Sequence, residues 1–290
     1  MALKPKALFK KAAYAHESGK WAEAERLYKD TLKADPQHAD ALHMLGYLAY
    51  QNGRNDIAVD LANRAINIDP RRPSYHNTLG GALLAQGQVD DAVMVYRRAF
   101  VMAPGSIEVA NNLGNALQVK GQLNEAGQIY QVVANAAPTN GDVLYNLGYN
   151  MMLQGDTDGA LAQFERAAAV KPKDALILNT MAALLHRLGR IDEAVATYQR
   201  AIERSPETAT LHKNLGVTVH TAGRWPEAEA AYAAALALDP KDADAQDSLG
   251  YALQMQGRND EAAAAYDRAL AIDPTHAKAR ANRDTLAGQA

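Results

Sequence analysis

Apolar residues recur along this chain at intervals of three and four residues, the spacing that places side chains on one face of an α-helix. In residues 243–276 one apolar run contains Leu249, Ala252 and Leu253, and a second run of the same spacing follows Gly257. Glycine adopts the backbone conformations of a sharp turn without steric penalty. The pattern therefore predicts two amphipathic helices joined by a turn at Gly257.

The second helix of this pair carries start and stop signals. Asn259 is predicted to cap its N-terminus, with Glu261 in the first turn, because oxygen atoms there accept from free backbone N–H groups. Pro274 is predicted to end the helix, since proline lacks the N–H that the next turn would need. Gly250 has no side chain, so the two helices are expected to approach closely there, with Tyr266 filling the seam. The predicted unit is a helical hairpin.

The hairpin pattern repeats every 34 residues without insertion or deletion. When each copy is numbered from place 1 to place 34, glycine occupies place 15 of every copy, at Gly19, Gly53, Gly87, Gly121, Gly155, Gly189, Gly223 and Gly257. Place 24 is aromatic in every copy except the second, which has Ala62. The eight predicted copies are residues 5–38, 39–72, 73–106, 107–140, 141–174, 175–208, 209–242 and 243–276. Residues 277–290 are predicted to form a capping helix and tail, and residues 1–290 a single domain.

Eight in-register copies of 34 residues closely resemble the tetratricopeptide repeat family. The resemblance covers residues 5–276 and implies an all-α fold, an α-solenoid in which helix-turn-helix hairpins stack into a right-handed superhelix. It also implies that the first helix of each hairpin lines a concave groove. Nothing in the resemblance implies catalysis, so a non-catalytic scaffold that binds an extended segment of another protein is expected.

Composition and charge narrow the classes of partner and cofactor. The formal net charge is −3, with acidic and basic residues interspersed, so neither nucleic acid nor a membrane surface is an expected partner. The absence of cysteine excludes disulfides, thiol catalysis and cysteine-ligated zinc. No phosphate-binding loop or activated serine is present, and no cofactor is expected. The first residues contain no apolar run of signal-peptide length, so a cytoplasmic location is expected.

In the tetratricopeptide repeat family, places 2, 5, 6, 9, 12 and 13 of each hairpin line the groove. In this sequence, asparagine recurs at these places. An amide both donates and accepts hydrogen bonds, so it pairs with an extended peptide backbone of any sequence. The candidate peptide-binding residues are Asn77, Asn111, Asn112, Asn115, Tyr145, Asn146, Tyr149, Asn179, His186, Lys213, Asn214, His220 and Tyr251. The alternative is that the amides only bridge adjacent helices. Charged groove places include Arg187 and Asp247.

Asn112, Asn146 and Asn214 at place 6 are similar to the asparagine ladder of O-linked N-acetylglucosamine transferases. This similarity suggests a second hypothesis, in which the chain is a recognition arm for a glycosyltransferase or similar enzyme on a separate chain. A third hypothesis is self-association, with one molecule's terminal repeat or tail on another's face or groove.

Histidine and tryptophan occupy recurring places as well. His186 and His220 share place 12 of adjacent repeats, within expected reach of each other, but no carboxylate at the groove places completes a metal site. No metal and no catalytic residue are therefore assigned. Trp21 and Trp225, at place 17 of repeats one and seven, are interpreted as packing at the turn.

Overall fold

A computed structural model describes residues 4–288, and every regular element within them is an α-helix. The helices are α1 (Pro5–Glu17), α2 (Trp21–Ala34), α3 (Ala39–Gln51), α4 (Asn55–Ile68), α5 (Pro73–Ala85), α6 (Val89–Met102), α7 (Ile107–Val119), α8 (Leu123–Ala136), α9 (Gly141–Gln154), α10 (Thr157–Val170), α11 (Ala175–Arg187), α12 (Ile191–Arg204), α13 (Ala209–Thr221), α14 (Trp225–Leu238), α15 (Ala243–Gln254), α16 (Asn259–Ile272) and α17 (Ala277–Ala287). The predicted all-α repeat fold is confirmed. Residues 1–3 and 289–290 of the predicted domain lie outside the described residues.

Each hairpin turns at the glycine of place 15. All eight of these glycines have φ between 70° and 86°, in the left-handed region that side chains with a Cβ rarely adopt. No other residue in the described part of the chain has a positive φ. The turn glycines are therefore required by backbone conformation rather than by lack of space.

The prediction that Asn259 caps α16 is wrong. The N-cap residue is Arg258, and Asn259 is already helical. The Arg258 guanidinium instead pairs with Glu261, at 2.6 Å from Nη2 to Oε2, and with Glu229, at 2.7 Å from Nη1 to Oε2. The Arg258 hydrogen bonds lower the pKa of Glu261. Glu261 thus lies in the first turn as expected, with an arginine as its partner.

Side-chain caps occur at several first helices and, among the second helices described, at α10, where Asp156 accepts from the Gly159 N–H. The residue before the helix accepts from a backbone N–H of the first turn, as Ser106 does from Val109 and Asp242 does from Ala245. These caps satisfy donors that would otherwise have no intrahelical partner. Capping is therefore concentrated at the links between hairpins.

Aromatic side chains fill the seams of the hairpins. Tyr266 is fully buried, and a Cβ added to Gly250 would lie 2.6 Å from its Cε1 atom. In the second hairpin, where Ala62 replaces the aromatic residue, a Cβ on Gly46 would meet Leu61 Cβ at 3.2 Å. Leucine from the facing helix therefore takes up part of the space that tyrosine fills elsewhere.

The helices form two compact units. The first contains residues 4–138 with Tyr149–Gly155, and the second contains Thr139–Gly148 with residues 156–288. In the first unit α3 contacts α5 and α5 contacts α7, and α2, α4 and α6 each pack on the first helix that follows. In the second unit α11, α13, α15 and α17 contact one another in series in the same way. We call the side of each unit on which the first helices present places 2, 5, 6, 9, 12 and 13 its inner surface.

None of the helices between residues 4 and 288 combines the length and the apolar content that crossing a membrane requires.

Candidate peptide-binding surface

The inner surface of the second unit contains an open cavity of about 520 Å³ between α13, α15 and α17. Its lining residues are Val217, His220, Thr221, Tyr232, Asp247, Ser248, Tyr251, Lys278, Ala281 and Asn282. All of them except Tyr232 lie at places 2, 5, 6, 9, 12 or 13, counted from the start of each first helix. The positions chosen for a groove thus meet around one cavity, which we call the inner cavity.

His220 lies at the centre of an aromatic cluster at this cavity. Its ring stacks on Tyr251 with centroids 5.1 Å apart and meets Trp225 edge-on at 5.1 Å. The Tyr232 hydroxyl lies 3.5 Å from His220 Nδ1. Burial lowers the pKa of His220, although the nearby charge of Asp247 acts in the opposite direction. The imidazole is therefore neutral at physiological pH.

His186 has a different partner from the one that the sequence pattern suggests. Its Nδ1 atom lies 3.2 Å from Thr218 Oγ1, a side chain of α13, whereas the ring stacked on His220 is Tyr251. Each histidine thus contacts the next first helix along the chain. The two histidines share a place in the repeat, and each links its own repeat to the following one.

The same aromatic cluster occurs in the first unit, six repeats earlier. His16 stacks on Tyr47 at 6.1 Å, meets Trp21 edge-on at 5.1 Å, and lies 3.4 Å from the Tyr28 hydroxyl through Nδ1. The signal in the sequence is histidine at place 12, tryptophan at 17 and tyrosine at 24, followed by tyrosine at place 9 of the next repeat. The interpretation of the tryptophans as turn packing did not identify these histidine contacts.

Asp247 is the buried acid of the inner cavity. Asp247 is only 7% exposed, and its Oδ1 atom accepts a hydrogen bond from Asn282 Nδ2 at 2.8 Å. Among residues 4–288 no lysine, arginine or histidine forms an ion pair with it. A carboxylate is thus held at the cavity by a neutral amide.

Two of the three place-6 asparagines, Asn112 and Asn214, bridge neighbouring first helices. Asn112 Nδ2 donates to Asn77 Oδ1 at 2.9 Å, and Asn77 Nδ2 donates in turn to Glu108 at 2.7 Å. In the second unit Asn214 Nδ2 donates to Asn179 Oδ1 at 3.1 Å. These amides thus make the contacts between adjacent helices that were considered as the alternative to peptide binding. An amide has two N–H groups and an acceptor oxygen, so one bridge occupies only part of its hydrogen-bonding capacity.

The other candidates differ in how much surface they offer. On α7, Asn115 is exposed, and Asn111 is half-buried with an Oδ1 atom that has no hydrogen-bond partner among the described residues. Tyr149 is 38% exposed and Asn146 is half-buried. The Tyr145 hydroxyl lies 3.3 Å from Thr180 Oγ1, which links α9 to α11.

Lys213 has a local partner. Its Nζ atom lies 2.6 Å from Asp242 Oδ2, and Asp242 also caps α15 through Ala245. Burial raises the pKa of Asp242, but the hydrogen bonds from Lys213 and from the Ala245 N–H together outweigh it, so the pKa is lowered. Lys213 therefore supports the start of α15 as well as contributing to the inner surface.

The described residues do not form a candidate metal site. Within residues 4–288 no group of three histidine, aspartate or glutamate side chains has an arrangement that would hold a metal ion.

Comparisons with known proteins agree with this architecture. Family models described as tetratricopeptide repeat match residues 15–80 and 83–148, 142–173, 173–241 and 214–277. A chain of the crystal structure of the APC/C hetero-tetramer Cut9–Hcn1 is similar with a TM-score of 0.60 and 17% identity, covering 92% of this chain and 52% of that chain. This protein therefore spans about half the length of that chain.

Two crystal structures of MamA are also similar. One has a TM-score of 0.55 and 24% identity over 59% of this chain and 93% of that chain. The other has a TM-score of 0.54 and 25% identity over 57% of this chain and 97% of that chain. A comparison of the sequence with curated proteins found no match. The repeated hairpins, their turn glycines and the matching family models together show that this chain belongs to the tetratricopeptide repeat family.

Proposed function

We propose that this chain is a non-catalytic protein-interaction scaffold that binds an extended peptide along the inner surface of its first helices. The observation that carries the proposal is the inner cavity, whose lining comes almost entirely from first-helix places. Membership of a repeat family supports a scaffold role, and one structural neighbour is itself a component of a hetero-tetramer. The proposal includes a protein or peptide partner, rather than nucleic acid or a membrane, and a cytoplasmic location.

The inner surface offers the two kinds of contact that an extended peptide needs. Asn179 and Asn214, in the same unit as the inner cavity, provide amide groups for a peptide backbone, because the bridge between them occupies only part of their hydrogen-bonding capacity. Val217 and Tyr251 at the inner cavity provide apolar and aromatic surface for guest side chains. Backbone contacts supply affinity without sequence preference, and the cavity supplies selectivity.

Selection from a random peptide-display library with the full chain as bait tests this proposal, followed by calorimetry with synthetic peptides. Val217→Lys places a positive charge on the inner surface at a side chain that is 43% exposed, whereas Leu238→Lys is a matched change on α14 at 37% exposure. We expect Val217→Lys to weaken binding by about tenfold or more and Leu238→Lys to have little effect. Equal effects of the two variants, or a library that yields no binding peptide, would reject the proposal.

A recognition arm for a separate enzyme is a second candidate function. The amide pairs Asn112–Asn77 and Asn214–Asn179 lie in equivalent positions of the repeat, as a ladder requires. A glycosyltransferase that co-purifies with the chain in stoichiometric amount would favour this function, and its absence would leave the peptide scaffold as the better explanation.

Self-association is a third candidate. An open cavity of about 550 Å³ lies on the first hairpin between α1 and α2, and it includes Leu8, Tyr14 and Leu27. Tyr14 is 70% exposed there. Light scattering over a concentration series tests self-association, with a constant monomer mass as the contrary result.

A further inference from the structure

The inner cavity contains a negative charge that the described residues leave without a cation. Asp247 is more than nine-tenths buried, and its one hydrogen-bond donor among them is the neutral amide of Asn282, at 2.8 Å. Buried charges in proteins are normally paired, because a carboxylate removed from water loses much of its solvation. Burial raises the pKa of Tyr232 and of Tyr266, and the charge of Asp247 adds to both shifts.

The neighbouring basic groups do not neutralise this carboxylate. His220 faces the same cavity, but burial lowers its pKa, so its ring is uncharged near neutral pH. Lys278 lines the cavity from α17, yet its side chain is exposed and forms no ion pair with Asp247. Lys213 occupies the place of Asp247 in the preceding repeat, and its Nζ atom is paired with Asp242 at 2.6 Å. Asp247 is therefore available as the counter-ion of a cationic group from another molecule.

Aromatic surface beside the carboxylate adds a second feature that favours a cation. Tyr251 and Tyr232 line the cavity, and cations are attracted to the faces of such rings. A volume of about 520 Å³ is ample for a long side chain. We propose that the inner cavity binds a basic side chain, arginine or lysine, of the guest peptide, with Asp247 as its counter-ion and Tyr251 as its aromatic wall. This inference rests on the proposed peptide-binding function.

The first unit provides an internal comparison for this assignment. Its cluster of His16, Trp21, Tyr28 and Tyr47 repeats the rings of the inner cavity. At the place of Asp247, however, it has His43, whose pKa burial lowers to about 4 and whose Nε2 atom contacts Thr78 Oγ1 at 3.0 Å. The first cluster therefore lacks a buried carboxylate at this place. Its neighbour Glu17, whose charge acts on His16 and Tyr28, is exposed and remains solvated, so we expect a weaker preference for basic side chains there.

Peptide-display selection against three full-length proteins tests the inference. The wild type should enrich peptides with arginine or lysine at one register, and Asp247→Asn should lose that enrichment. Asparagine at position 247 retains an acceptor for Asn282, so this variant is expected to fold, and its helical circular dichroism and melting temperature should match those of the wild type. The matched control is Asp244→Asn, an acid on the same helix whose side chain is 78% exposed and contacts His276. This control should preserve the enrichment.

One selected peptide, synthesised with arginine or with the uncharged isostere citrulline, completes the experiment. Calorimetry should show an affinity loss of about tenfold or more for the citrulline peptide with wild type, and little loss with Asp247→Asn. Peptides that bind the inner surface without a basic residue, or a basic preference that survives Asp247→Asn, would overturn this inference and leave the proposed function intact. A library without binders would overturn both.

Discussion

Individual glycines have two separate physical purposes in this chain, one conformational and one steric. At the turns, Gly257 has φ of 75° and nothing within 4 Å of an added Cβ, so backbone conformation alone requires glycine. At the seams, the glycines are helical and space is the constraint. A Cβ on Gly114 would lie 2.7 Å from Tyr130 Cε1, which is closer than carbon atoms approach without a shift of the ring.

The steric purpose is testable with a pair of glycine substitutions in the first unit. Gly114→Ala should destabilise the protein by about 1–3 kcal/mol, because the added methyl overpacks the seam against Tyr130. Gly127→Ala on α8 should stabilise it by roughly 0.4–1 kcal/mol, since its nearest neighbour would be Gln154 at 3.5 Å and alanine restricts the unfolded chain. Urea unfolding measures both. Two changes of the same sign would contradict the distinction.

His43 makes the stability of the first unit depend on pH. Burial lowers its pKa from 6.5 to about 4, so the folded state favours the neutral ring. The unfolded state therefore binds the proton first as pH falls, and stability is lost between about pH 6.5 and pH 4. The loss from pH 8 to pH 5 is about 2 kcal/mol for this group. Chemical unfolding across this range should show a smaller loss in His43→Gln. An unchanged pH profile would exclude His43 as the cause.

The sequence predicted best those residues whose conformation and packing are determined within a single hairpin. The turn glycines and Tyr266 follow from the repeat itself, because conformation and seam packing are set within one hairpin. The cap at Asn259 was mispredicted, since the pattern does not show that Arg258 precedes the first helical residue and pairs with Glu261. The repeat pattern assigns Asn112 to the stripe of first-helix places, but its bond to Asn77 depends on a rotamer and a neighbouring repeat.

At the scale of elements, side-chain contacts between consecutive first helices supplement their apolar packing. A residue at place 5 of one repeat faces a residue at place 6 of the next, as in Asn179–Asn214, Tyr145–Thr180 and Asp247–Asn282. Periodicity assigns both places to one stripe but does not show that they meet, because that depends on the offset between helices of different repeats. The inner cavity was unpredicted for the same reason.

The Asn179–Asn214 bridge gives a direct test of this coupling. A double-mutant cycle with alanine at each position should yield a coupling energy of about 0.5–1.5 kcal/mol, the net value of one hydrogen bond. Asn115→Ala and Asn214→Ala form the comparison pair, on first helices three repeats apart, for which we expect additive effects within about 0.5 kcal/mol. Full additivity at Asn179 and Asn214 would show that the bridge contributes nothing to folding stability.

At the scale of the whole molecule, stability is expected to be a sum over neighbouring hairpins rather than the property of one central core. The contacts of each helix lie with its partner in the hairpin and with the next repeat, as for α13 with α14 and α15. Damage in one repeat should therefore spread only as far as the interfaces that it weakens.

Tyr232→Ala tests this expectation in the second unit. Tyr232 is 1% exposed and lies against Gly216, so its truncation should cost about 3–5 kcal/mol. Hydrogen exchange followed by mass spectrometry should show faster exchange in α13–α16 and unchanged exchange in α1–α6, because local opening reports the stability of neighbouring interfaces. Tyr14→Ala, at a side chain that is 70% exposed, should leave both regions unchanged. Equal acceleration throughout the chain would mean that the hairpins unfold in one cooperative step, and nearest-neighbour stability would then fail for this protein.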